Sequence, residues 1–199
     1  MATDGGLGGG PSWRRPNGIF LIIELRGDVA EQVREIQRRF DPKLASSTPP
    51  HITLVGSSGA GPIAGGTTVE ELRRALEPIA DDTPPMTLHF GAPTRFMQTE
   101  IVVLPLDPHG PLRTLHERIK SSGLSFQRPR FAFTPHATLS FYPTLSRQAQ
   151  RELLGLRVRE PMVVDHIKAS LTNDPLPPRA MLELELGRGS NVEGRTSDR

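Results

Sequence analysis

The chain has 199 residues, 36% of them hydrophobic, which suits one globular domain or two small lobes and excludes a disordered polymer. Lys and Arg number 24 against 22 Asp and Glu, so a formal charge of +2 neither establishes nor excludes a nucleic-acid partner without a local basic patch. The absence of cysteine rules out disulfides and thiolate chemistry, and no apolar run reaches membrane-spanning length or resembles a signal peptide, so a cytoplasmic protein with no membrane partner is expected.

In chain order, residues 1–17 are rich in Gly and Pro and predict a disordered arm whose distinctive residues are Trp13, Arg14 and Arg15. Ile19 to Leu25 is a nearly continuous aliphatic run, read as a strand buried on both faces. Asp28 to Glu31 has the form of a capping box, and Val29, Val33, Ile36 and Phe40 give the helix after it one apolar face, ended by Asp41-Pro42. A first apolar strand, His51-Ile52-Thr53-Leu54, follows Pro49-Pro50. Gly56 to Gly66 then reads as a flexible linker, since it lacks the Gly-Lys-Ser/Thr ending of a phosphate-binding loop. Thr68 to Glu71 is a second capping box, opening a helix with Val69, Leu72, Leu76 and Ile79 on its apolar face and Pro78 in its last turn. Met86 to Phe90 alternates as a strand.

The second half repeats this order. Ile101 to Leu106 predicts a strand, and a helix carrying Leu112, Leu115 and Ile119 starts at Pro111 and stops before Gly123. A second strand, His136-Ala137-Thr138-Leu139, follows Pro135, then a helix from Ser146 to Leu154 closed by Gly155, a long strand from Met162 to Leu171, and an alternating strand from Met181 to Leu186. Residues 188–199 predict a disordered tail. Corresponding points lie at similar offsets: Ile19 to Ile101 spans 82 residues and His51 to His136 spans 85. A strand-helix-strand-helix-strand unit therefore occurs twice, and the expected fold is α+β, with two pseudo-symmetric lobes, each with an antiparallel sheet and helices, and an active-site cleft between them. The single domain spans residues 18–187.

The shared core of the halves is Pro-His-x-Thr-Leu, at Pro50 to Leu54 and Pro135 to Leu139. One such segment is a weak signal; two copies at matching places exceed what independent residue frequencies yield. Alternation on a strand sends His51 and Thr53 to one face and Ile52 and Leu54 to the core, and does the same for His136 and Thr138 against Ala137 and Leu139. Displacement at phosphorus needs one group to deprotonate the attacking oxygen, one to protonate the leaving oxygen, and donors for the nonbridging oxygens. Two imidazoles and two hydroxyls supply these without a cofactor, and threonine is a poor ligand for a zinc ion, with no Cys or His-Glu motif to add the missing positions. His89, His109, His116 and His166 have no partner at a recognisable spacing and are expected at the surface or as satisfied core residues. Phe96, Phe126 and Phe133 are aromatic candidates for base stacking, with core packing the commoner use.

From Ile19 to Leu186 the chain resembles the 2H phosphoesterase superfamily, most closely the bacterial branch called 2′-5′ RNA ligase or RNA 2′,3′-cyclic phosphodiesterase, which carries two His-x-Thr/Ser motifs on strands of a bilobal α+β fold. The resemblance implies that His51 and His136 are the acid–base pair, that Thr53 and Thr138 bind phosphate, and that no metal is needed. It implies hydrolysis of 2′,3′-cyclic phosphates on RNA ends or nucleotides to 2′-phosphates by a monomer, with 2′-5′ ligation as a second capacity. Several bacterial members have a basic residue shortly after the second motif, where this chain reads Ser140-Phe141-Tyr142. Tyr142 can donate a hydrogen bond there, and Arg128 or Arg130 can reach phosphate from the preceding loop. Two other readings compete: a non-catalytic RNA-end or nucleotide-binding module with the same pocket, and a structural repeat whose motifs only pack.

Overall fold

The computed structural model describes residues 17–96, 99–141, 145–173 and 176–191. The first strand, β1 (Gly18–Glu24), is built of β-branched and aromatic residues and alternates strictly. Ile19, Leu21 and Ile23 are fully buried. Phe20, Ile22 and Glu24 are only half-buried, so the expected burial on both faces is corrected: one face is core and the other lines an open surface. Helix α1 (Gly27–Phe40) buries Val29, Ala30, Val33, Gln37 and Phe40. It enters through Gly27 at φ +65°, one residue before the expected start, which makes Arg26 the capping residue and leaves the Asp28–Glu31 box unformed. Asp28 sits in the first turn instead, where a carboxylate complements the helix dipole. Asp41 ends α1 and at once starts α2 (Pro42–Ser47), its Oδ1 accepting from Leu44 N at 2.9 Å.

Strand β2 (His51–Val55) follows, then α3 (Val69–Asp81), whose Thr68–Glu71 capping box forms as expected, and β3 (Met86–Leu88). The second half contributes β4 (Thr94–Arg95), β5 (Val102–Pro105), α4 (Pro111–Lys120), β6 (His136–Ser140) and α5 (Arg147–Gly155). The single strand expected over 162–171 is two, β7 (Met162–Val164) and β8 (His166–Asn173), which join different sheets. The break falls at Asp165, whose carbonyl accepts from Leu186 N and whose carboxylate holds His166 Nδ1. Strand β9 (Leu176–Glu185) is longer than expected because Leu176 to Ala180 also pairs with β8. It is an edge strand, where Pro177 and Pro178 are tolerated. The tail begins with a 3₁₀ turn, Arg188–Asn191.

Seven strands form one sheet in the order β4-β5-β6-β2-β1-β8-β9, and β3 pairs with β7 in a second sheet of two strands. The repeat is visible in this topology: β1, α1, β2, α3 and β3 correspond to β5, α4, β6, α5 and β7. Like strands meet like across a pseudo-twofold axis, β2 against β6 and β3 against β7. The halves also exchange support. Helix α1 packs beneath β6, with Gln37 Nε2 donating to Thr138 O at 2.8 Å, and α4 packs beneath β2, with His116 Nδ1 donating to Leu54 O at 2.8 Å. One hydrophobic cluster joins both halves on this side of the sheet. The opposite side carries the two histidine motifs.

Candidate active site

Strands β2 and β6 share one antiparallel ladder pair, Ile52 with Ala137, which are the equivalent central residues of the two motifs. Both are fully buried. Alternation therefore puts His51, Thr53, His136 and Thr138 together on the open face, all four half-buried. The register sets His51 opposite Thr138 and Thr53 opposite His136. Directly opposed residues have Cβ atoms about 4.5–5.5 Å apart, and diagonal ones about 7–8 Å, so the two imidazoles flank a space of phosphate size with a hydroxyl beside each. Corresponding strands thus meet side by side in the sheet, and this pairing is what brings the histidines together.

The proline of each motif has a physical role. His51 Nδ1 lies 2.8 Å from Pro49 O, and His136 Nδ1 lies 2.7 Å from Thr134 O. A carbonyl only accepts, so Nδ1 carries the hydrogen in both rings and Nε2 is left for the reacting proton. Pro50 and Pro135 hold the preceding residue extended, which presents its carbonyl to the ring two positions on. Their own carbonyls accept from Leu25 N at 2.9 Å and Leu106 N at 3.0 Å, tying each motif to the end of β1 or β5. The halves use the same construction twice.

The two sites differ in their surroundings. Burial pushes the His136 pKa below the ordinary imidazole value; the Thr134 carbonyl opposes this, and a charge on His51 adds to it. The last effect is a consequence of proximity between the rings. Phe96 meets His136 edge to face at 4.6 Å, so of the three candidate aromatics this one reaches the site. Phe133 is buried, stacked on His116 at 3.9 Å, and Phe126 is half-buried against the core. Across β1, His51 pairs with Glu24 and Thr53 with Ile22, while Lys168 on β8 pairs with Ile22 and reaches Glu24 Oε1 at 2.6 Å. His136 has Pro105 in the place of Glu24.

Several residues that shape the site have no signal in a single sequence. Glu24 and Phe20 read as parts of an aliphatic strand, and Lys168 as a charge on another. Asp41 reads as a helix stop, yet its buried carboxylate also accepts from Phe141 N at 2.8 Å and fixes the end of β6. Of the other phosphate-binding candidates, Arg128 and Arg130 are exposed on the segment before β6, and Tyr142 lies outside the described residues. His89 and His109 are exposed, and His116 is a satisfied core residue. His166 departs from expectation: it is buried, and its Nε2 has no hydrogen-bond partner.

The glycine-rich stretch is not a loose linker. Gly59 N donates to Phe131 O, Arg130 N to Ser57 O, Gln127 N to Pro62 O and Ala64 N to Ser125 O, all at 2.8–2.9 Å. Glycine permits this stapling. At Gly61, φ +85°, a Cβ would lie 2.0 Å from Gln127 O, and at Gly59, φ +72°, it would lie 2.3 Å from His116 Cε1.

Residues 26–170 match the 2′-5′ RNA ligase superfamily. The chain belongs to that family. Among its relatives, a Geobacillus kaustophilus protein named "Putative phosphoesterase GK0864" is 36% identical over 61% of this chain and 66% of its own length. A Bacillus cytotoxicus protein of the same naming, Bcer98_0945, is 31% identical over 71% of this chain and 79% of its own. In structure the chain is similar to TT0787 of Thermus thermophilus, with a TM-score of 0.58, 17% identity and coverage of 86% of this chain and 98% of that one. Apo LigT of E. coli gives 0.51 at 18% identity, covering 87% and 99%. The fold of this 2′-5′ RNA ligase superfamily member is the LigT-like α+β fold, and its relatives place it among phosphoesterase-type enzymes. Among its described residues, no helix is long and apolar enough to cross a membrane.

Proposed function

We propose that this protein is a phosphodiesterase that opens the 2′,3′-cyclic phosphate of an RNA end or nucleotide to a 2′-phosphate without a metal. The observation that carries this reading is the doubled motif: two imidazoles with Nδ1 locked on a backbone carbonyl, each with a threonine beside it, on one face of adjoining strands. In the reaction, one Nε2 takes a proton from water as the water oxygen bonds to phosphorus. The bond from phosphorus to O3′ breaks, and the other Nε2 gives its proton to that oxygen. Thr53 and Thr138 hydroxyls donate to the nonbridging oxygens, where negative charge grows.

The surroundings favour His136 as the base. Burial lowers its pKa and keeps it neutral near pH 7, and His51 has Glu24 as its cross-strand neighbour. With a 5′-hydroxyl in place of water, the same proton transfers yield a 2′-5′ linkage. Arg130 is a candidate for holding the phosphate from the side of the loop, and Tyr142 for doing so after β6. LigT of E. coli, similar in fold, has been crystallised with ATP. We place the protein in the cytoplasm as a monomer.

The test is incubation with 2′,3′-cyclic nucleotides and a cyclic-phosphate RNA end, in the presence of a chelator, with products separated by chromatography. A 2′-phosphate product is expected. Tight binding without product would instead favour the non-catalytic binding module.

A further inference from the structure

The segment leading into β6 has features that the reaction at the two histidines does not use. Arg128, Arg130 and Phe131 are all exposed, Phe131 to 68%. A single exposed phenylalanine needs no explanation on its own. The carbonyl of this one is held by Gly59 N at 2.9 Å, so the exposed ring stands on a fixed backbone. Neither this segment, from Ser121 to Pro143, nor the glycine-rich stretch stapled to it, Gly56 to Gly66, contains an Asp or Glu, although the chain has 22. The pair of loops is therefore a basic edge on a nearly neutral protein.

The edge adjoins the site. Gly56 packs so closely on Thr53 and Phe20 that a Cβ would lie 2.6 Å from the Thr53 methyl and 2.7 Å from the Phe20 ring. Ser57, the next residue, accepts from Arg130 N. Phe131 is five residues before His136, hence within about 17 Å of it along the chain.

We propose that Arg128 and Phe131 form an outer subsite for single-stranded RNA, which holds the nucleotides upstream of the terminal phosphate. The inference rests on the preceding functional reading and narrows its substrate to polynucleotide ends. Stacking of a base on an exposed aromatic ring, with guanidinium groups on neighbouring phosphates, is how single strands are held without sequence preference. A mononucleotide filling the space between the histidines has no upstream residue to place there.

The test uses a labelled hexauridylate carrying a 3′-phosphate, bound to the full chain and followed by fluorescence anisotropy, with 3′-UMP as competitor. Turnover of 2′,3′-cyclic UMP is measured in parallel. The oligonucleotide is expected to bind at least about tenfold more tightly than 3′-UMP, and the double variant Arg128→Ala/Phe131→Ala to lose that advantage, while Phe131→Ala alone weakens oligonucleotide binding and leaves cyclic UMP turnover unchanged. Equal binding of the two ligands, full oligonucleotide affinity in the double variant, or equally effective competition by an acidic hexapeptide would each overturn the subsite. Failure of the unmodified protein to open cyclic UMP would remove the catalytic reading, and the affinity comparison would still decide the subsite.

Discussion

At the scale of residues, the site is a pair of histidines in equivalent hands and unequal surroundings. His136 and the core residue His116 both have pKa values pushed down from 6.5, by burial first of all. The unfolded chain therefore binds more protons than the folded one as pH falls through 6.5, and folding stability falls with it. The carboxylates with lowered pKa, Glu71 and Asp165, start from ordinary values of 4.5 and 3.8, so their contribution is lost only in more acid solution. Urea midpoints are thus expected to be lower at pH 5.5 than at pH 7.5, and His136→Gln should flatten that difference; equal midpoints would contradict the burial argument. The same depression predicts that the acid limb of kcat/KM lies below pH 6.5, measurable in a pH–rate profile. What was legible at this scale was the doubled Pro-His-x-Thr-Leu, because chemistry and backbone geometry constrain every position of it. Glu24, Asp41, Phe20 and Lys168 were not legible, since their roles depend on which strand lies beside them.

Elements position these residues through exchanged supports. The carbonyls of Leu54 in β2 and Thr138 in β6 are each held by a side chain from the other half's helix, His116 from α4 and Gln37 from α1. Gly59 keeps room for His116, and a side chain there would meet both a left-handed φ and the imidazole ring. Gly59→Ala should cost about 2 kcal/mol or more in chemical denaturation, whereas Gly66→Ala, in open space, should be close to neutral. Equal effects would mean that the stapled loop is looser than described. Periodicity made most elements legible: the α3 capping box, Pro111 at the start of α4 and Gly123 after its end all fall where expected. It failed at Gly27, whose positive φ moves the α1 start, and at Asp165, where a tertiary bond to Leu186 N divides one apolar run between two sheets.

For the whole molecule, the repeat explains both the fold and the site. The lobes are joined by the β2–β6 pair, by the β3–β7 pair and by helices packed under the opposite half. Neither half can keep its core without the other, so denaturant unfolding followed by far-UV circular dichroism and by amide exchange should give one coincident transition. Two separate transitions would contradict a shared core. The repeat was legible as matched offsets between motifs, but not the route by which it brings the histidines together: offsets say which elements correspond and nothing about which strands become neighbours.

The central claim is that His51 and His136 divide the proton transfers at one phosphorus. It is tested most directly by the turnover of a 2′,3′-cyclic nucleotide by His51→Ala and His136→Ala, each checked for unchanged circular dichroism. Both variants are expected to lose about 10²- to 10⁴-fold in kcat. Turnover within a few-fold of the unmodified protein in either folded variant would contradict it.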